Sequence, residues 1–144
     1  MLLGRESLTE FSVAVRCPHG GPAVLANPPL DRRGHPFPTR NWLACRHLVA
    51  AVSRLESAGG VGLLESDPEM AGPLAEAQRA HSESHGGHWI TGAADPTRVK
   101  CLHAHLAVAL ADGGSPVGDW ILSRIDGDWP ATCCVARLRE AAGG

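Results

Sequence analysis

The stretch Arg98-Val-Lys-Cys-Leu-His-Ala-His-Leu-Ala-Val-Ala-Leu-Ala111 decides how this chain is read. Leu102, Leu106 and Ala109 recur at steps of four and three, the period of a helix with one buried side. The spacing predicts a helix over 98–111, closed by Asp112-Gly113-Gly114. Chemistry is concentrated at its start, in Lys100, Cys101, His103 and His105. On a continuous helix Cys101 and His105 face one way and can serve one ion, with His103 turned elsewhere. Thiolate and imidazole are the ligands zinc prefers.

Two other places set a histidine two positions after a cysteine, Cys17-Pro-His19 and Cys45-Arg-His47. Cys45 opens the other strong helix, predicted over 43–58 from Leu48, Ala51, Val52 and Leu55 and stopped by Gly59-Gly60. A thiol in a first helical turn is stabilised as thiolate. Cys17 follows the alternation Phe11, Val13, Val15, and Ala23 to Ala26 form a second short apolar run. Together they predict a hairpin with Cys17 and His19 at its tip and Gly20-Gly21 in the bend.

Between these anchors the chain is looser. Pro28, Pro29, Pro36 and Pro38 make 27–40 a loop, with Phe37 and Trp42 expected to tie it to the core. Asp67-Pro68-Glu69 predicts the start of a helix running to about His85. That helix is polar and rich in alanine, so a surface position is expected, with His81 and His85 exposed. Residues 116–125 read as a short helix or strand, and residues after Gly127 as a tail. One domain over 10–126 with a tail over 127–144 is the expected organisation.

Composition sets bounds on function. Of 144 residues, 44 % are apolar, enough for a core, yet only 4 % are aromatic, so Leu, Val and Ala must fill it. Gly 17 and Pro 11 point to irregular connections, and a small loop-rich domain often needs a staple such as a metal. Net charge is -2 with no basic run, which argues against a nucleic-acid footprint. The sequence shows neither a signal-peptide pattern nor an apolar run long enough to span a bilayer. Five cysteines, an odd number, fit a reducing cytoplasm, where clustered cysteines bind metal or react more often than they pair. Cys133 and Cys134 are adjacent and expected to stay thiols. The fold class expected is α+β, mainly helical, with a short N-terminal hairpin and Gly/Pro-rich loops.

The metal reading places one ion on Cys17, Cys45, Cys101 and His105, with His103, His19 and His47 as further candidates. Zinc is the expected metal, and an iron–sulfur cluster the alternative, although the spacing matches no common cluster signature. An enzyme reading uses the same residues otherwise. Cys101 or Cys45 is then a nucleophile, His105 or His103 its base, and Asp31 or Glu56 the group that orients the histidine. A hydrolytic zinc site with an open fourth position is its variant, in which Lys100, Arg54 and Thr39 bind an anionic group. The plain alternative is that the cysteines are small buried apolar side chains, and that Lys100 and Arg54 are solvated charges.

Several blocks carry a resemblance. Cys17-Pro-His-Gly20, Pro36-Phe-Pro-Thr39, Trp42-Leu-Ala-Cys45, Val52-Ser-Arg-Leu-Glu56, Lys100-Cys-Leu-His-Ala-His105 and Pro116-Val-Gly118 are similar to those of a mostly actinobacterial uncharacterised family, domain of unknown function 501. The resemblance covers roughly Val15 to Arg124. Arg46 stands where that family usually has proline, and relatives often differ at His19. The family's genes tend to lie near those of a septum-formation initiator coiled-coil protein and an exopolyphosphatase. The resemblance implies no established activity. The expected role is a cytoplasmic zinc-binding accessory or interaction protein with a possible protein partner, and the alternative a small Cys/His- or zinc-dependent hydrolase or transferase.

Overall fold

In the computed structural model, residues 12–28, 33–34, 40–84, 90 and 97–125 are described. The chain opens with an antiparallel hairpin, β1 (Ser12–Arg16) and β2 (Pro22–Ala26). Its bend closes through Cys17 N–H to Gly21 O at 2.8 Å and Gly20 N–H to Cys17 O at 2.9 Å. Gly20 takes φ +85°, a left-handed conformation that a side chain would strain. The predicted hairpin with Cys17 and His19 at its tip is therefore present. A third strand, β3 (Asn41–Leu43), pairs antiparallel with β2 and was not foreseen, because three residues are too short to show an alternation. Asn27 and Arg40 pin the base of the intervening loop, Asn27 N–H donating to Arg40 O at 2.8 Å. Trp42 does not anchor that loop in the core: Asn41 is the buried residue of β3, and Trp42 is 51 % exposed. Phe37 lies outside the described residues.

Among the described residues five helices follow: α1 (Arg46–Ser57), α2 (Gly60–Ser66), α3 (Ala71–Ser84), α4 (Leu102–Ala111) and α5 (Pro116–Ser123). The domain is thus mainly helical with an N-terminal hairpin, as the sequence implies. Helix α1 buries Leu48, Ala51 and Val52, the stripe its periodicity announces. Gly59, at φ +90°, stops it, but the chain turns at once into α2 instead of a loop. A Cβ on Gly60 would sit 2.7 Å from both Leu55 Cγ and Leu55 O, so only glycine fits this junction.

Helix α4 is the centre of the molecule. Leu102 and Ala104 to Ala109 are all buried, the mark of a helix enclosed on every side. It packs against β3, α1 and α5. Leu102 and Leu106 join Val52, Leu64, Leu74, Val117, Trp120 and Ile121 in the main core. Helix α3 is not a bare surface helix. It buries Leu74, Gln78 and His81 at steps of four and three, so His81, expected exposed, is only 3 % exposed. Two polar residues in that stripe hide its apolar function from a hydropathy reading.

Helix α5 begins as capping rules require. Ser115 Oγ accepts from Gly118 N–H at 3.2 Å, and Pro116 fills the first position. Trp120 Nε1–H donates to Asp67 Oδ2 at 3.1 Å, tying α5 to the turn before α3. Gly118 lets α5 approach α4: a Cβ there would lie 2.6 Å from Ala109 Cβ. Gly118→Ala is therefore expected to destabilise the fold by about 1–3 kcal/mol in urea unfolding, through overpacking, and Ala109→Gly to restore part of the loss. Gly72, in α3, meets nothing within 4 Å, and Gly72→Ala should instead stabilise by about 0.5–1 kcal/mol.

Candidate metal centre

The segment entering α4 is held by two carboxylates. Glu65 Oε2 accepts from Val99 N–H at 2.8 Å, and Glu56 Oε2 from Leu102 N–H at 2.7 Å. Cys101, the residue before the helix, is extended at φ -158° and ψ 123° and makes no side-chain cap. Glu56 of α1 performs that task across space, its negative charge facing the positive end of α4. This fixes the start of α4 four residues later than the hydrophobic period alone suggests.

The same contact assembles a cluster. One ligand atom each from Glu56, Cys101 and His103 lies within 4.8 Å of the other two, a group able to coordinate a metal ion. Cys101 Sγ is 3.6 Å from His103 Nδ1, and Glu56 Oε1 is 3.2 Å from the same nitrogen. The other ring nitrogen, Nε2, lies 3.2 Å from Val49 O and 3.1 Å from Ser53 Oγ. A backbone carbonyl only accepts, so Nε2 carries the hydrogen. In the neutral ring Nδ1 then presents a lone pair to a carboxylate oxygen and a sulfur. Only a proton or a metal cation can sit comfortably among those three atoms. A ligating histidine whose second nitrogen donates to a carbonyl is the common arrangement at metal sites.

The geometry discriminates against a catalytic triad. In a triad the nucleophile and the acid use opposite nitrogens of the ring. Here Cys101 and Glu56 converge on one. Burial also pushes the Cys101 thiol up, with the Glu56 charge adding to it and backbone N–H groups at the start of α4 opposing it, which works against a free thiolate nucleophile. The histidine and glutamate side chains are 22 % and 27 % exposed, which leaves the cluster reachable from solvent.

Of the four residues expected to share one ion, only Cys101 belongs to this group, and His103 takes the place foreseen for His105. The reason is local. The rule that residues four apart share a face needs both to be helical, and Cys101 is not. His103 and His105, two apart on α4, point to opposite sides. His105 is 2 % exposed, and burial, with His81 adding, pushes its pKa down to about 4. Cys45 is buried with Ala23 and Leu48, and Cys17 packs against the same group, as small apolar side chains do. Among the described residues neither is part of a set of three or more candidate ligands. His19 is exposed at the hairpin tip and His47 half-buried in the first turn of α1. Lys100 and Arg54 are exposed, one beside Cys101 and the other two residues before Glu56. Asp31, Thr39, His85, Cys133 and Cys134 lie outside the described residues.

Glu56, expected only to orient a histidine, is the third member of this cluster. Its signal is the stripe Val49, Ser53, Glu56, at steps of four and three beside the apolar face of α1. The fold and the cluster define a small helical domain with a sulfur–nitrogen–oxygen group able to hold a metal. The chain belongs to the family described as protein of unknown function (DUF501), whose model matches residues 13–85 and 67–123. No curated protein and no solved structure gives a significant match. Among the described residues no helix is long and apolar enough to cross a membrane.

Proposed function

We propose that this protein binds one zinc ion through Cys101 Sγ, His103 Nδ1 and Glu56 Oε1. The observation that carries the reading is the spacing of the donor atoms. Zinc bonds of roughly 2.3 Å to sulfur and roughly 2.0–2.1 Å to nitrogen and oxygen, at tetrahedral angles, separate sulfur from nitrogen by roughly 3.6 Å and nitrogen from oxygen by roughly 3.3 Å. The separations here are 3.6 Å and 3.2 Å. The donor set is mixed, which suits zinc better than magnesium or calcium, whose ligands are oxygens. An iron–sulfur cluster is less well supported, since clusters draw chiefly on several thiolates and this group has one.

The ion would join the end of α1 to the start of α4, and metal binding of that kind adds to folding free energy. Three protein ligands and a solvent-reachable position leave room for a water or an outside group. That favours an accessory or interaction role in which the fourth ligand comes from a partner. The same open position supports a second reading, zinc-assisted hydrolysis, in which bound water is the nucleophile and Lys100 or Arg54 holds an anionic substrate. Cys17, Cys45 and Cys101 are all outside disulfides, which supports a reducing, cytoplasmic setting.

Elemental analysis of untagged protein should find about one zinc per chain. Cys101→Ser and His103→Ala should lose it, and Cys17→Ser should retain it. Cobalt substitution should give an intense thiolate-to-metal absorption that vanishes in Cys101→Ser. A metal-free wild-type protein that also fails to take up zinc or cobalt would refute the site.

A further inference from the structure

A second feature stands apart from the metal cluster. Between α3, α4 and the beginning of α5 lies a cleft of about 230 Å³. Ala77, Ile90, Val108 and Val117 line it with apolar surface, and His105 is a deeply buried polar group in its wall. His105 is 2 % exposed, and among the described residues neither of its ring nitrogens has a hydrogen-bond partner. Buried polar groups in native proteins are nearly always paired, and an exception asks for a cause. Leaving a histidine unsatisfied carries a penalty that leucine or phenylalanine at this position would avoid.

The rim defines what could supply the missing partner. Glu76 and Asp112 lie at the cleft, and among the described residues no lysine or arginine lines it. Glu76 is already engaged by Arg79. Asp112, exposed at the end of α4, has no ion pair among the described residues. An anion is therefore disfavoured, and a cation at the outer end is favoured. A neutral imidazole offers one donor and one acceptor on divergent edges of the ring, and a hydroxyl, being both donor and acceptor, can pair with whichever nitrogen faces the cleft. A dry cavity of about 150 Å³ accommodates benzene, so this cleft has room for one ring with a short tail.

We propose that this cleft is a binding site for a small amphiphilic amine: a hydroxyl-bearing ring set against His105, with its ammonium group at Asp112. The proposal is independent of the metal centre, whose residues lie on the other side of α4. Tyramine, phenol and 3-(4-hydroxyphenyl)propionate are the probes, titrated by calorimetry and by nitrogen NMR of the His105 ring. Tyramine should bind saturably in the millimolar range or tighter, shift the His105 resonances, and exceed phenol. The propionate, matched in shape but opposite in charge, should bind worst. Asp112→Asn, a surface change that leaves the core intact, should bring tyramine down to the level of phenol. His105→Phe should weaken both about tenfold, the worth of the lost hydrogen bonding. Saturable binding that is absent for all three probes, equal for the amine and the acid, or unchanged in both variants would overturn the proposal.

Discussion

Zinc at a hundredfold excess over its dissociation constant is expected to raise the unfolding free energy by about 2.7 kcal/mol, and the thermal midpoint by roughly 10 °C for a domain of this size. The argument is linkage: the three donor atoms come from α1, from the extended residue before α4 and from its first turn, and unfolding separates them. Substitutions should divide the effect in a way a non-specific zinc response would not. Cys101→Ser and His103→Ala should abolish the gain. Glu56→Gln keeps an oxygen for the Leu102 amide but replaces a carboxylate ligand by a poor one, so its metal-free stability should stay near wild type while the zinc gain largely disappears. Glu56→Ala should lose both, with a metal-free cost of about 1 kcal/mol, the usual worth of a helix cap. The gain should also grow with pH, because burial raises the Cys101 thiol and zinc must displace its proton. A zinc-induced shift as large in Cys101→Ser as in wild type would sink the assignment. Differential scanning fluorimetry with and without a chelator is sufficient to decide.

What the sequence could and could not disclose follows from where each feature's cause lies. The hairpin and helices α1 and α4 were legible because their causes are local: apolar period, glycine stops and a turn. Helix α2 was not, since Gly59-Gly60 reads as an end, while the tight fit of Gly60 against Leu55 makes it a corner between two helices. The first turn assigned to α4 was extended chain, because the carboxylates of Glu56 and Glu65 bind the amides that a helix would start from. That single tertiary effect also redirected the site. With Cys101 outside the helix, the pair four apart lost its shared face, and Cys101-x-His103 met Glu56 instead. Cys-x-His was visible as a chemical motif; its carboxylate partner, 45 residues before Cys101 in the chain, was not, since only packing of α1 on α4 brings it near. His81 was misplaced for a related reason, as a polar side chain in a buried stripe looks exposed until its neighbours are known.

His105 supplies the second large effect, one that separates it from His103 despite their closeness in sequence. Burial, with His81 adding to it, lowers its pKa to about 4 in the folded protein. In the unfolded chain the ring titrates near its ordinary value of about 6.5. Above about pH 7 both states hold it neutral, and it contributes no pH dependence. As pH falls from about 6.5 the unfolded state takes up a proton that the folded state refuses, so unfolding gains free energy at each step. The loss builds until about pH 4, where the folded ring also protonates, and amounts to about 3 kcal/mol in all. The measurement is urea unfolding near neutral pH and near pH 4.5, with a chelator present so that the metal centre's own protons do not enter. Wild type should lose about 2 kcal/mol across that window beyond what His105→Phe loses, the rest of the effect falling below pH 4.5. Phenylalanine keeps a ring of similar size in the same wall and has nothing to titrate, so the variant should be relatively acid-resistant. Parallel curves for the two proteins would mean that the folded state lets His105 take up its proton as readily as the unfolded chain does. The two histidines would then differ only in direction, and the chemical division of α4 into a metal-facing and a cleft-facing side would fail with it.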